Sequence, residues 1–257
     1  NIVKEELQNY VLNFVFNSDY NNLIFTGGTC LRKIYGLNRL SEDLDFDFLD
    51  AVDLNNFSLL CKDYFVENLK YTNLKTKIAG NSKSIFLQFP DFSQLNVLSQ
   101  SGTAQEVFLR CDFSPAVDRE VKTEKNLITA GKYEVLVNSY DLSTLFANKI
   151  AAFLLRSFYK GKFQKVPFKG RDVYDIWWLL QLSSRSSYAL RPDIKRLELL
   201  LEKRPFEDIK TELIEKIQKI DAKEIILDLD PLIESNSLLK GFTLSFKDDI
   251  LNRIKFV

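Results

Sequence analysis

Apolar residues recur at helical spacing through Val3, Leu7, Tyr10, Val11 and Phe14, which predicts an amphipathic helix over residues 3–17. Leu23-Ile24-Phe25-Thr26 is a short apolar run that ends at Gly27-Gly28, a strand with a tight exit. Thr29–Tyr35 reads as a helix with Thr29 as its cap. Leu44, Phe46 and Phe48 alternate with Asp43, Asp45 and Asp47, and a period of two is a strand. Residues 54–69 return to helical spacing, while Ile85–Phe89, Gln94–Leu98, Val107–Phe113 and Tyr133–Val137 read as further strands. Beyond about Asp141 the strands are expected to stop. Leu142–Phe158, Arg171–Leu182, Asp193–Lys203, Phe206–Ile220 and Lys247–Ile254 read as helices, with a loop at Ser183–Ser187. The expected fold is α+β: an antiparallel or mixed sheet flanked by helices over residues 1–140, then a helical bundle over 141–257.

Composition narrows the chemistry. The 257 residues are 46% hydrophobic, which excludes a disordered chain. No run approaches the roughly 20 apolar residues that span a bilayer, so no membrane association is expected. The opening NIVKEELQNY is charged and amphipathic, unlike a signal peptide. Cys30, Cys61 and Cys111 are odd in number and contain no CxxC pair, which fits a reducing cytoplasm better than a disulfide scaffold. Histidine is absent, so Ser-His-Asp, Cys-His and His-ligated metal mechanisms are excluded. Catalysis is left to carboxylates, Lys and Arg, hydroxyls and hard metal ions.

The formal net charge is zero, but it is unevenly spread: residues 1–128 carry 13 basic and 17 acidic side chains, residues 129–257 carry 22 and 18. Between Leu142 and Arg171 the only acid-free stretch of this richness holds Lys149, Arg156, Lys160, Lys162, Lys165, Lys169 and Arg171, interleaved with Phe158, Tyr159, Phe163 and Phe168. Such a mixture suits the phosphates and bases of a nucleic acid or nucleotide, and equally a solvated loop between helices.

The densest chemistry lies in the first fifty residues. A strand ends in Gly27-Gly28-Thr29 and leads into a helix, where free N–H groups can meet a phosphate. Asp43 and Asp45 sit at i and i+2 of a strand and so share one face. Two like charges so placed call for a cation, and oxygen ligands beside substrate phosphates suit Mg²⁺. Each feature alone is common in purely structural roles. Asp228-Leu229-Asp230 repeats the DxD spacing without a glycine turn and with Pro231 following, and reads as structural.

Taken together, Gly27-Gly28-Thr29-Cys30-Leu31 and Arg39-Leu40-Ser41-Glu42-Asp43-Leu44-Asp45-Phe46 resemble the first motif of the polymerase-β-like nucleotidyltransferase superfamily, in the form found in the AbiEii/AbiGii toxin family, which includes the MenT-type toxins. Leu145–Ala152, Arg156 and Lys169-Gly170-Arg171-Asp172-Val173-Tyr174-Asp175 resemble that family's later motifs. Asn148 stands where the family often has Glu, and Cys30 where a small residue is usual.

The resemblance implies an N-terminal nucleotidyltransferase domain and a helical domain that supplies Lys149 and Asp172. It implies that Gly27, Gly28 and Thr29 hold the nucleotide's phosphates, that Asp43 and Asp45 bind Mg²⁺ or Mn²⁺, and that Lys149 contacts the triphosphate. Asp172 would orient the site or serve as a base, and Arg39, Ser41 and Arg171 would assist in nucleotide binding. Asp112, on a strand before Pro115, is the choice for the superfamily's third carboxylate; an ion pair with Arg110 is the alternative. Asp91 and Asp118 are weaker candidates. Lys149 and Asp172 also have plain readings, as a snorkelling lysine and a helix cap. The implied activity is NMP transfer from an NTP to an acceptor, the 3′ end of a tRNA or another RNA, with a cognate antitoxin as a partner. Transfer to a protein side chain, and a nucleotide-binding module without turnover, remain as alternatives.

Overall fold

The computed structural model describes residues 2–79, 83–90, 106–130, 133–156, 158–160, 164–166, 168–185 and 190–256. The chain divides into two units. One holds Asn1–Gly36 and Leu40–Tyr140; the other holds Asp141–Val257 together with the short segment Leu37–Arg39.

The first unit runs α1 (Ile2–Phe16), β1 (Ile24–Thr26), α2 (Gly27–Tyr35), β2 (Leu44–Phe48), α3 (Leu54–Leu69), β3 (Lys75–Ala79), β4 (Ser84–Pro90), β5 (Glu106–Pro115), β6 (Thr123–Ala130) and β7 (Tyr133–Tyr140). Its strands form one seven-stranded sheet in the order β3-β4-β5-β2-β1-β7-β6. The sheet is mixed: β1 pairs parallel with β7 and β2 parallel with β5, and the other pairs are antiparallel.

One face of the sheet is aromatic. Phe25, Phe46 and Phe113 are register partners on β1, β2 and β5, with ring centroids 5.8 and 5.6 Å apart. Phe16 of α1 and Phe57 of α3 pack onto this row. Asp53 opens α3 by accepting hydrogen bonds from the Asn55 and Asn56 N–H groups. Period two then places Asp45 and Asp47 of β2 on the opposite face from Phe46.

The second unit runs α4 (Leu142–Leu155), β8 (Phe158–Lys160), β9 (Gln164–Val166), α5 (Gly170–Arg185), α6 (Ile194–Leu200), α7 (Phe206–Gln218), α8 (Ala222–Leu229) and α9 (Asn236–Arg253). Its core gathers Phe146, Ile150 and Phe153 of α4, Ile176, Leu179 and Leu180 of α5, and Phe242 and Phe246 of α9. Lys216 of α7 donates to the carbonyls of Phe153 and Leu154, satisfying the last turn of α4. Trp177 packs against Tyr174 and Phe242 and donates to Asp249, so the tryptophan pair belongs to the core rather than to a stacking surface.

The α+β architecture matches the expectation from the sequence. Four details differ. Strands do not stop at Asp141, because β8 and β9 pair antiparallel within the basic segment. The edge strands β3 and β6, and helix α8, had no clear hydrophobic pattern. The last helix begins at Asn236 rather than near Lys247. Helix α5 runs on through Arg185, into the stretch read as a loop. The expected strand at Gln94–Leu98 lies outside the described residues, as does Asp91.

Candidate active site

In the first unit, strand register builds a polar row across four strands. Thr26 of β1 is the partner of Asp45 on β2; Asp45 is the partner of Asp112 on β5; Asp112 is the partner of Ser84 on β4. Register partners project to one face, so the Asp45 and Asp112 carboxylates are direct neighbours. Asp43 precedes β2 by one residue and Asp47 follows Asp45 by two. Asp47 accepts a hydrogen bond from the Tyr140 hydroxyl at 2.7 Å.

The glycine turn meets this row. Gly27 follows β1 directly and opens α2 with φ +79°, a conformation costly for any residue with a Cβ. A Cβ at Gly27 would lie 1.9 Å from Asp45 Oδ2, so the carboxylate rests against the glycine's α-carbon. Helix α2 begins at Gly27 and not at Thr29, and its N-cap Thr26 makes no side-chain capping bond.

The Thr29 hydroxyl works elsewhere. It is hydrogen-bonded to Ser41 Oγ at 2.9 Å and to the Asp43 carbonyl at 2.5 Å. Thr29 and Ser41 therefore fix the loop that delivers Asp43 and Asp45. Fully buried Gln8 of α1 supports the same loop from below, donating to the carbonyls of Ser41 and Glu42 at 2.9 and 3.2 Å. The only sequence signal for Gln8 is a polar residue embedded among Leu7, Val11 and Leu12.

Asp112 accepts hydrogen bonds from Arg110 Nε at 2.8 Å and from Ser84 Oγ at 2.5 Å. The ion pair weighed as the alternative thus forms, alongside the contact in register with Asp45. Cys111 sits between these groups. Burial, then the neighbouring Cys61 and the carboxylates of Asp112, Asp43 and Asp45, push its thiol well above the ordinary value, which keeps it protonated. All three cysteines are buried, and none is in a disulfide.

The donor set is hard oxygen throughout. Among the described residues no three His, Cys, Asp or Glu side chains are grouped as a metal cage. Mg²⁺ does not require one, because it is commonly held by one or two carboxylates with the remaining positions left to water and substrate phosphate. The carboxylates of Asp45 and its register partner Asp112 fit that demand.

The second unit carries a separate cluster of charges. Asp175 of α5 is fully buried and grips Arg39 through two bonds, Nε to Oδ1 and Nη2 to Oδ2, each 2.6 Å. Lys149 of α4 reaches Oδ2 of the same carboxylate at 2.7 Å. Burial pushes the Asp175 carboxyl up, but Arg39 and Lys149 outweigh it and hold the group below its usual value. Next to Asp175, Tyr174 donates its hydroxyl to Asn38 at 2.6 Å, so α5 holds the Leu37–Arg39 segment by two consecutive side chains.

Asp172, also buried, pairs with Arg156. The Arg171 backbone N–H donates to Asp228 Oδ2 at 3.0 Å. The second DxD therefore has a structural task at the start of α5. Lys169 is lowered from its usual value by burial and by the charges of Arg171 and Arg156. Asn148 accepts from Arg196, and Phe168 is buried beside Phe153. Sequence alone assigns Asp175 no role, because its partner lies 136 residues away along the chain, beyond the reach of local pattern.

A mixed sheet bearing adjacent carboxylates, entered through a glycine turn at a helix start, is the arrangement of a nucleotidyltransferase. The chain belongs to the nucleotidyl transferase AbiEii toxin family of type IV toxin–antitoxin systems, whose profile matches residues 11–247. No curated protein sequence matches it. Among solved structures it is similar to JHP933 from Helicobacter pylori, with 17% identity, TM-score 0.56, and coverage of 98% of this chain and 90% of that one. A nucleotidyltransferase toxin, MenT4 from Mycobacterium tuberculosis H37Rv, has 14% identity and TM-score 0.60, covering 98% of this chain and 82% of that one. At these identities the structures speak for the fold. Among the described residues no helix is long and apolar enough to cross a membrane.

Proposed function

We propose that the protein transfers a nucleoside monophosphate from an NTP to the 3′ end of a tRNA, in a reaction that depends on Mg²⁺ or Mn²⁺. The observation that carries the site is the carboxylate row at the glycine turn: Asp45 lies against Gly27 and beside Asp112, with Asp43 on the adjoining loop. The first N–H groups of α2, from Gly27, Gly28 and Thr29, would bind the phosphates, with Ser41 holding the loop. Asp43 and Asp45 would hold the divalent cation, with Asp112 the further ligand. Held by these carboxylates, a divalent cation would supply neutralisation of charge on the phosphates.

The acceptor hydroxyl attacks the α-phosphorus and forms the new P–O bond. The bond to the bridging oxygen breaks and pyrophosphate leaves. The acceptor's proton passes to a nearby carboxylate, for which Asp112 is the candidate. Lys149, with Arg171, would act on the triphosphate, and Arg39, buried and bidentate on Asp175, would assist from behind. Asp172, buried and paired with Arg156, is assigned an orienting part. An RNA acceptor is supported by charge, since residues 129–257 carry 22 basic against 18 acidic side chains. Membership of a toxin family implies a cognate antitoxin as partner, and a cytoplasmic site of action.

The test is a transfer assay. The protein is incubated with Mg²⁺, each α-phosphate-labelled NTP in turn, and total tRNA or total cell protein, with Asp45→Asn in parallel. Label on tRNA that the variant loses is the expected outcome. Label on protein would replace the acceptor in this reading, and NTP binding without any transfer would reduce the protein to a binding module.

A further inference from the structure

Asp175 is held by two cations of unlike exposure. The Arg39 side chain is 2% exposed and turns both Nε and Nη2 to the carboxylate. The Lys149 side chain is 13% exposed and shares Oδ2 at 2.7 Å. An ammonium has three donors, and among the described residues Asp175 is the only partner found for that of Lys149. The trio carries two positive charges and one negative. The rigid Arg39 fork, matched to the carboxylate, cancels the charge of Asp175. Within the trio one positive charge is in excess, and Lys149 is the more exposed of the two cations.

We infer that Asp175 is a positioning residue, which with Arg39 fixes the Lys149 ammonium in place to receive the phosphates of the nucleotide. The inference rests on the proposal that Lys149 contacts the triphosphate. It moves Arg39 from the binding residues to their support, since its bidentate fork is committed inside the protein. A lysine on a flexible four-carbon stem loses rotamer freedom when it grips a ligand, and one already fixed by a buried partner has lost it in advance. The depressed carboxyl of Asp175 agrees with a charged, doubly paired group at all moderate pH values.

The experiment is calorimetric titration of each purified full-length variant with NTP and with the corresponding NMP, at fixed Mg²⁺, beside a thermal melt. A triphosphate-directed lysine acts on the ratio of NTP to NMP affinity; a general loss of fold lowers both affinities alike. Three variants are compared with the parent: Lys149→Met, Asp175→Asn, and the apolar replacement Arg39→Met/Asp175→Leu. Replacing a buried ion pair by apolar residues of similar size often preserves stability. Lys149→Met is expected to lower the ratio about tenfold, the scale of losing one charge-assisted hydrogen bond. Asp175→Asn and the double variant should lower it by a similar factor, with a cooperative melt. Asp175→Asn, which keeps the size of the side chain, carries the test alone if the double variant does not fold.

A parental ratio in the Asp175 variants, with the Lys149→Met ratio reduced, would overturn the positioning role and leave the reading of Lys149 standing. A parental ratio in Lys149→Met would overturn that reading and the inference with it.

Discussion

Gly27 meets two demands at one residue. Its φ of +79° disfavours a side chain, and the space a Cβ would take is filled by the Asp45 carboxylate. Gly36 offers a matched control, because its φ is +78° but nothing stands within 4 Å of a Cβ built there. Alanine at either position should cost roughly 1–2 kcal/mol of backbone strain. Only Gly27→Ala should also displace Asp45. Both variants are expected to melt at a lower temperature than the parent. Gly36→Ala should retain transfer and Gly27→Ala should lose it as Asp45→Asn does, which melting curves and the labelled-NTP assay measure side by side. Equal transfer by both would mean that Asp45 can shift without harm. The face that Asp45 takes was legible because period-two alternation along β2 fixes it. The uses of Thr29 and Gln8 were not, since both depend on how a loop closes over them.

At the scale of elements, α5 is placed from its N-terminus. Asp228 accepts the Arg171 N–H, and a Cβ at Gly170 would fall 2.9 Å from the Ile225 carbonyl, so α8 lies hard against the first turn of α5. Asp228→Ala should remove that cap and cost about 1 kcal/mol, read as a lower midpoint in urea with an unchanged slope. An unchanged midpoint would show that the bond to Arg171 is not stabilising. Helix α3 was read as residues 54–69 and spans Leu54–Leu69, because Leu54, Phe57, Cys61 and Phe65 repeat cleanly on one buried face. The edge strands were illegible for a physical reason. Lys75 and Lys77 of β3 are exposed, and among the described side chains of β6 only Ile128 is in the core, so neither edge shows the alternation of a half-buried strand. In α9 the buried stripe of Leu239, Phe242, Phe246 and Ile250 was masked by Gly241 and by Ser and Thr residues of low helix propensity. Asp175 shows the limit most plainly: a buried acid in a helix gives no hint of which distant cation it will meet.

On the scale of the whole molecule, the sequence places a break near Asp141, while the structure gives Leu37–Arg39 to the later unit. These three residues follow α2 and precede β2, yet Asn38 and Arg39 bond to Tyr174 and Asp175. The order in which the protein assembles follows from this. Arg39 leaves the ribosome 136 residues before Asp175. At about 5–20 residues per second, the guanidinium waits roughly 7–27 s for the carboxylate it will be buried with. Its neighbours in sequence need no such wait to begin folding. In refolding followed by pulsed hydrogen exchange, the amides of Leu37–Arg39 should therefore gain protection together with α5 and not with α2 and β2; protection alongside α2 would sink the idea. Until then the nascent chain carries Arg39 ahead of its carboxylate, just before the loop that leads to Asp43 and Asp45, so the segment between α2 and β2 is completed only once α5 has been made.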